Sequence, residues 1–284
     1  MKFHHATADL YAPDGASFPE ALNRATHIGV GAHQDDLEFM AYHGIVSCFR
    51  QSGSRFAGVT CTNGAGSSRI GPYADFTDAQ MQVVRRREQR DAAQIGDYAA
   101  MLQLDYSSAE LKDAANASLK NDLIAIFSAA RPSVVYTHNL ADKHETHVAV
   151  AAAVIQALRS LPAEQRPTKV HGCEIWRSLD WLPDADKVLL DVSARENLAA
   201  ALSGVFDSQI SGGKRYDLAV LGRRRANATF FEPHGADQAT QLTFAMDLTP
   251  MVMDASLDPA QYVTGFIRKF QDDVEQKIRA RWVK

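Results

Sequence analysis

Two short stretches of the 284-residue chain gather side chains that bind cations. One is His33-Gln34-Asp35-Asp36 with Glu38 close behind; the other runs from His138-Asn139 to Asp142, His144 and His147. His33 and Asp36, joined by His147, supply two imidazoles and one carboxylate. That set suits a catalytic zinc ion, because coordination positions remain for water and substrate. The two adjacent aspartates then need separate roles. With Asp36 on the metal, Asp35 points elsewhere and is placed to take a proton from water as general base. His144, three residues before His147, is placed to stabilise a developing oxyanion or to protonate a leaving nitrogen. Simpler uses compete, since strand-end histidines commonly make structural hydrogen bonds and aspartates commonly cap helices.

Thr26–Ala32 reads as a buried strand, and Glu38–Gln51 as a helix with Phe39, Tyr42, Ile45, Val46 and Phe49 at helical spacing. A strand ending near Thr62, a Gly/Ser-rich loop (63–72), a charged helix (78–96), a weak strand (100–104), a helix (118–130) and a β-branched run (133–137) follow. Beyond them lie a helix at 146–158 and strands at 170–175 and 187–192, with Ser193 as N-cap of the next helix. This alternation predicts an α/β fold: a Rossmann-like, mostly parallel sheet with helices on both faces, one domain over 26–284 behind an irregular segment 1–25. In such sheets ligands bind outside the carboxyl ends of the strands. Both polar stretches leave such ends, so topology alone puts them on one rim. Asp258–Val283 reads as an amphipathic helix, with Tyr262, Phe266, Phe270, Val274 and Ile278 at steps of four. It is expected to pack on the sheet, or else to meet a second subunit in a homo-oligomer.

Composition narrows the classes. Apolar residues make up 46% and charged residues 23%, which excludes a disordered chain. Lys and Arg number 30 against 34 Asp and Glu, a net charge of −4 that argues against a nucleic-acid binder. Cys48, Cys61 and Cys173 are scattered and form no C-x-x-C pair, which fits a reducing compartment. The first residues lack an apolar secretory run and no segment reaches membrane-span length, so a soluble, cytoplasmic protein with no membrane span is expected. Gly29-x-Gly31 resembles part of a dinucleotide fingerprint. The third glycine is missing, and Asp35, Asp36 and Glu38 would repel a pyrophosphate.

Strand, AHQDDLEF, then a helix with Gly44 resembles the A-H-P-D-D-x-E signature of the LmbE-like (PIG-L) de-N-acetylase superfamily. THNLADKHETH is similar to its second motif, VTCTNGAG to its T-x-G loop, and RRREQRDAAQIG to its R-x-x-E helix. DSQISGGKRYD and ANATFFEPHG faintly resemble an S-Q stretch and a late Y-A-E-x-F. The resemblance spans residues 26–235. It implies zinc on His33, Asp36 and His147, Asp35 as base, His144 facing the oxyanion, and Arg85 and Asp142 contacting substrate hydroxyls. The implied reaction is zinc-dependent removal of an N-acetyl group from an amino sugar such as N-acetylglucosamine, or from a small glycoconjugate of it.

Three departures bear on that reading. Gln34 stands for the usual proline, which is expected to loosen the turn. Tyr42-His43 precede Gly44 where small residues are common, and are expected at the pocket floor. Thr146 replaces an aspartate that would tune His144, a role left to Glu145 or Asp142. His43, His138 and His234 are further pocket candidates, and the loops 63–77 and 223–238 are expected to shape the pocket. The alternatives are a metal-dependent amidase on a thiol conjugate or other non-sugar amide, and a catalytically silent metal- or sugar-binding protein.

Overall fold

Short runs of valine, isoleucine and glycine, buried on both faces, form the centre of one eight-stranded sheet in a computed structural model that describes residues 1–282. The strands are β1 (Asp9–Tyr11), β2 (His27–Gly31), β3 (Phe56–Thr62), β4 (Ala100–Tyr106), β5 (Val134–His138), β6 (Lys169–Cys173), β7 (Lys187–Asp191) and β8 (Leu242–Asp247). They lie in the order β1-β4-β3-β2-β5-β6-β8-β7. The five central strands, β4 to β6 in that order, are parallel, while β1 and β8 run against their neighbours. The helices are α1 (Glu20–Asn23), α2 (Asp36–Met40), α3 (Tyr42–Cys48), α4 (Asp78–Ile95), α5 (Ser108–Lys112), α6 (Ser118–Ala130), α7 (Glu145–Arg159), α8 (Glu196–Gly204), α9 (Asp207–Ile210), α10 (Tyr216–Phe230), α11 (Thr249–Met253) and α12 (Pro259–Arg279). No helix among the described residues is long and apolar enough to cross a membrane.

Alternate strand residues feed two apolar clusters. Ile28, Val30, Val59, Leu102 and Val135 pack with α6 and α7; Phe56, Met101 and Tyr136 pack with α2, α3 and α8. From β2 the chain builds β3 and β4 on one side and β5 and β6 on the other, so the crevice between the ends of β2 and β5 is the topological switch point.

The glycines of β2 serve packing. A β-carbon on Gly31 would lie 2.9 Å from that of Asp36, and one on Gly29 would lie 3.0 Å from Leu37 and 3.4 Å from the Ala41 methyl. Bare glycines thus let α2 lie directly on the strand, a close approach that side chains would forbid.

Several expected features differ. The single helix over 38–51 is two helices, α2 and α3, broken at Ala41, which caps both. Ser193 does not cap α8: its hydroxyl takes the amides of Thr240 and Gln241 and ties the start of β8, while Arg195 in a left-handed conformation opens the helix. The segment expected to be irregular contributes β1, an edge strand pairing Asp9 with Gln103. Helix α12 packs only through its first turns, where Val263 is buried; Ile267, Phe270, Val274 and Ile278 stay 37–57% exposed. Twenty-one residues extend about 32 Å, and the buried Val263 lies near the start of that length. Val283, at the expected end of that helix, lies outside the described residues.

Candidate active site

The chain leaves β2 through His33 and turns at Asp35, whose φ of +83° is left-handed and costs on the order of 1–3 kcal/mol for a side-chain-bearing residue. Surrounding contacts impose the turn. The Asp35 amide donates to Gln89 Oε1 (3.1 Å), and the His33 amide donates to Asp36 Oδ2 (2.7 Å). Gln34 does not loosen it: its side-chain amide donates to the Thr62 carbonyl (3.0 Å) and to Gln103 Oε1 (3.3 Å), bracing the turn on β3 and β4.

His147, in the first turn of α7, comes back to meet this turn. His33 Nδ1 lies 3.3 Å from Asp36 Oδ2 and 3.2 Å from His147 Nε2, and His147 Nε2 lies 3.6 Å from Asp36 Oδ2. Four ligands at 2.0–2.1 Å around a tetrahedral zinc ion would sit about 3.3–3.4 Å apart, so this triangle has the right size and chemistry for one. Behind it, the fully buried His138 stacks on His147 at 3.8 Å. Its Nε2 accepts the Ala32 amide (2.9 Å) and lies 3.2 Å from Asp36 Oδ2, so it buttresses the triangle from below. Burial alone would raise the Asp36 carboxyl, but His147, His138 and His33 more than offset it and hold Asp36 ionised, well below the usual carboxylate range.

Asp35 faces the other way from Asp36. Its Oδ2 accepts from Arg85 (3.0 Å), yet burial outweighs that cation and, with Asp36 close by, pushes the carboxyl up to about 7. Such a value suits a group that exchanges protons at neutral pH. His144 caps α7, its Nδ1 accepting the Thr146 amide, and its ring lies 5.0 Å from that of His33 and 4.7 Å from that of His147. Burial, reinforced by His147 and His33, lowers its pKa and keeps it neutral.

Two residues expected at substrate hydroxyls have other partners. Asp142 is turned inward: Oδ2 sits 3.1 Å from His147 Nδ1 and orients that ring, while Oδ1 accepts the main-chain amide of His144 (2.9 Å) and so holds the backbone there rather than the His144 imidazole. Arg85 lines the cavity wall but is only 1% exposed, and it bonds Asp35, Glu88 and the Gln34 carbonyl. Glu88 in turn accepts from the Ser208 amide and hydroxyl, each at 2.6 Å. The S-Q stretch is therefore the far anchor of the arginine that holds the Asp35 turn. Glu38, grouped with the rim carboxylates by sequence, is fully buried behind the turn; burial raises it to about 8, and Tyr98 and Gln89 donate to it. Tyr42 and His43 also lie away from the cavity, bonded to the Ala194 and Arg195 carbonyls and to the Tyr136 hydroxyl. His234 is on the surface.

Asp35, Asp36, His33, His144 and His147 open onto a cavity of about 690 Å³. The 63–68 loop forms one wall, as expected of the 63–77 segment. Of 223–238 only Arg223 contributes, because that stretch opens as the C-terminal half of α10. Trp176, Tyr216, Lys112 and Lys214 also line it; Lys214 and Tyr216 lie within the DSQISGGKRYD stretch without a role read for them, and Trp176 and Lys112 are absent from the residues that sequence reasoning singles out. The four come from three separate segments, and nothing local marks any of them as a cavity residue.

A family model described as PIG-L, GlcNAc-PI de-N-acetylase, matches residues 28–158. No curated protein matches the chain in sequence. Among solved structures, the conserved protein TT1542 of Thermus thermophilus superposes with a TM-score of 0.60 at 19% identity, over 78% of this chain and 94% of that one. GalB, the 4-carboxy-2-hydroxymuconate hydratase of Pseudomonas putida, gives 0.58 at 16% over 79% and 96%. The N,N'-diacetylchitobiose deacetylase of Pyrococcus horikoshii gives 0.57 at 14% over 80% and 86%. These likenesses establish a shared fold, and the AHQDDLEF and THNLADKHETH motifs both fall inside the matched segment. Over residues 28–158 the chain carries a domain of the PIG-L (LmbE-like) family.

Proposed function

We propose that the protein is a zinc-dependent hydrolase that removes an N-acetyl or other N-acyl group from an amino sugar or its conjugate. The observation that carries this reading is the His33–Asp36–His147 triangle, sized for a four-coordinate ion and opening onto a cavity beside a carboxyl raised to about 7. The family match supports it; the fold alone does not choose the reaction, since a hydratase has the same fold. Zinc bound there would polarise the amide carbonyl and activate water. Asp35, held by Arg85 and Gln89, accepts the proton that water gives up as its oxygen joins the acyl carbon. His144 donates a hydrogen bond to the carbonyl oxygen as charge gathers on it. When the carbon–nitrogen bond breaks, the proton on Asp35 passes to the nitrogen, and a carboxylate and a free amine leave.

Release of acetate and free amine from a panel of N-acetylated sugars tests the reading. Asp35→Asn should keep its metal and lose at least about 100-fold in turnover, the scale of a general base. Near-wild-type turnover in that variant would contradict the mechanism. Metal binding with no amine released across the panel would favour a silent binding protein.

A further inference from the structure

Two adjacent histidines, His4 and His5, meet a carboxylate that the reaction does not use. Strand β1 runs against β4, so the residues before Asp9 pass the carboxyl end of β4, beside Tyr106 and the start of α5. His4, His5 and Glu110 converge there, each offering one ligand atom, and the three atoms all lie within 4.8 Å of one another. Among the described residues this is the one group of three such side chains that shares no member with the active site.

Buried groups hold the two histidines in place. Tyr106 is fully buried and its hydroxyl donates to Asp122 Oδ2 (2.7 Å), while Asp122 Oδ1 accepts the His4 amide (3.1 Å). The His4 ring lies parallel to that of Tyr106 at 5.7 Å, and the His5 ring meets it edge-on at 4.7 Å. Glu110 closes the capping box of α5 with one oxygen only. Its Oε2 accepts the Ser107 amide (2.7 Å), which leaves Oε1 turned to His5.

The geometry between His5 and Glu110 is that of two ligands and not of a hydrogen bond. His5 Nε2 is shielded from water and lies 3.1 Å from Glu110 Oε1, yet makes no hydrogen bond, because the oxygen stands off the axis of the ring nitrogen. Ligands of one ion stand in that relation: with bonds of about 2.0–2.2 Å at a tetrahedral angle, their atoms are about 3.3–3.5 Å apart and neither lies on the other's axis. His4 is the exposed member and turns inward to complete the set. Two imidazoles with one carboxylate suit zinc, nickel or copper, whereas magnesium and calcium prefer oxygen ligands alone.

We propose that His4, His5 and Glu110 form a second metal site, for zinc or a similar divalent ion, that fastens the segment before β1 to α5. Helix α5 also supplies Ser108 and Lys112 to the cavity wall, so the ion joins residues 1–8 to a helix of the active-site cavity. With three ligands and an open side the site exchanges its ion, and gel filtration empties it. It stands apart from the hydrolytic reading and needs no turnover to test.

Zinc chloride titrated calorimetrically into the gel-filtered, full-length protein should show one further ion bound per chain, with a Kd of about 10 µM or below, and magnesium should show none. A His4→Gln/His5→Gln variant should lose that ion. Glu110→Gln keeps a side chain that can close the capping box and should weaken binding by at least about tenfold. The same ion should bind a His33→Ala/His147→Ala variant, so failure of the active-site reading would leave this result unchanged. Amide hydrogen exchange in residues 1–8 should slow when zinc is added to the wild type and stay the same in the double histidine variant. No further ion in the wild type, a further ion held equally well without His4 and His5, or binding that leaves exchange in residues 1–8 unaltered would overturn the proposal.

Discussion

Replacing Arg85 by methionine decides whether this arginine is a structural clamp or only a substrate contact. Its guanidinium is the cation between two buried carboxylates: Asp35 is 3.0 Å away and Glu88 3.2 Å away, and they are 5% and 6% exposed. Removing one member of a buried, hydrogen-bonded ion pair typically costs about 3–5 kcal/mol, because the partner stays desolvated. The loss should sit near the lower end at neutral pH, where the Asp35 carboxyl, already raised to about 7, takes up a proton once its cation is gone. With a urea m-value of about 3 kcal/mol/M, the midpoint should fall by about 1 M or more. Arg87→Met is the internal control: that side chain is 83% exposed with a 3.7 Å contact to Asp91, and its loss should stay within about 0.5 kcal/mol. Tryptophan fluorescence in urea follows both variants. A loss below about 1 kcal/mol for Arg85→Met, with a raised KM, would refute the clamp and return Arg85 to the substrate.

Two further outcomes follow from other buried groups. Asp142→Asn removes the carboxylate that orients His147 through Nδ1, and zinc affinity measured against a competing chelator should weaken about 10- to 100-fold while the fold persists; unchanged affinity would show that Asp142 does not act through His147. His171 is 7% exposed, and burial, with His43 adding to it, lowers its pKa from the ordinary 6.5 to about 4. Between those values the unfolded chain binds the proton and the folded one does not, so stability should fall as pH drops from 6.5 to 4, by at most about 3 kcal/mol from this group. His171→Gln should flatten that slope in pH-dependent urea melts, and an unaltered slope would place the titration elsewhere.

The parts of the fold that are readable from sequence are those set by local patterns. The β2 and β5 runs, the 118–130 helix and the convergence of two polar stretches on one rim follow from periodicity and a topological rule. What stays hidden depends on long-range partners. Strand β8 alternates Leu242, Phe244 and Met246, but nothing local says that it inserts between β6 and β7. Arg85 is one of three consecutive arginines on a charged helix and nothing local marks it as the buried one; its partner Glu88 is held by Ser208, more than a hundred residues later. Asp142 looks available to a substrate because sequence does not show which way a loop carboxylate turns; two histidines claim it. The apolar stripe of α12 is legible as amphipathic, yet how little of it the rest of the fold covers is not.

The central claim is that His33, Asp36 and His147 together hold one zinc ion. Metal content by plasma mass spectrometry on protein loaded with zinc and then gel-filtered tests it directly. The wild type should carry one zinc per chain at this site, and His33→Ala, Asp36→Ala and His147→Ala should each lose it while remaining folded by circular dichroism. Stoichiometric zinc retained in all three variants, or none held by the wild type, would contradict the claim.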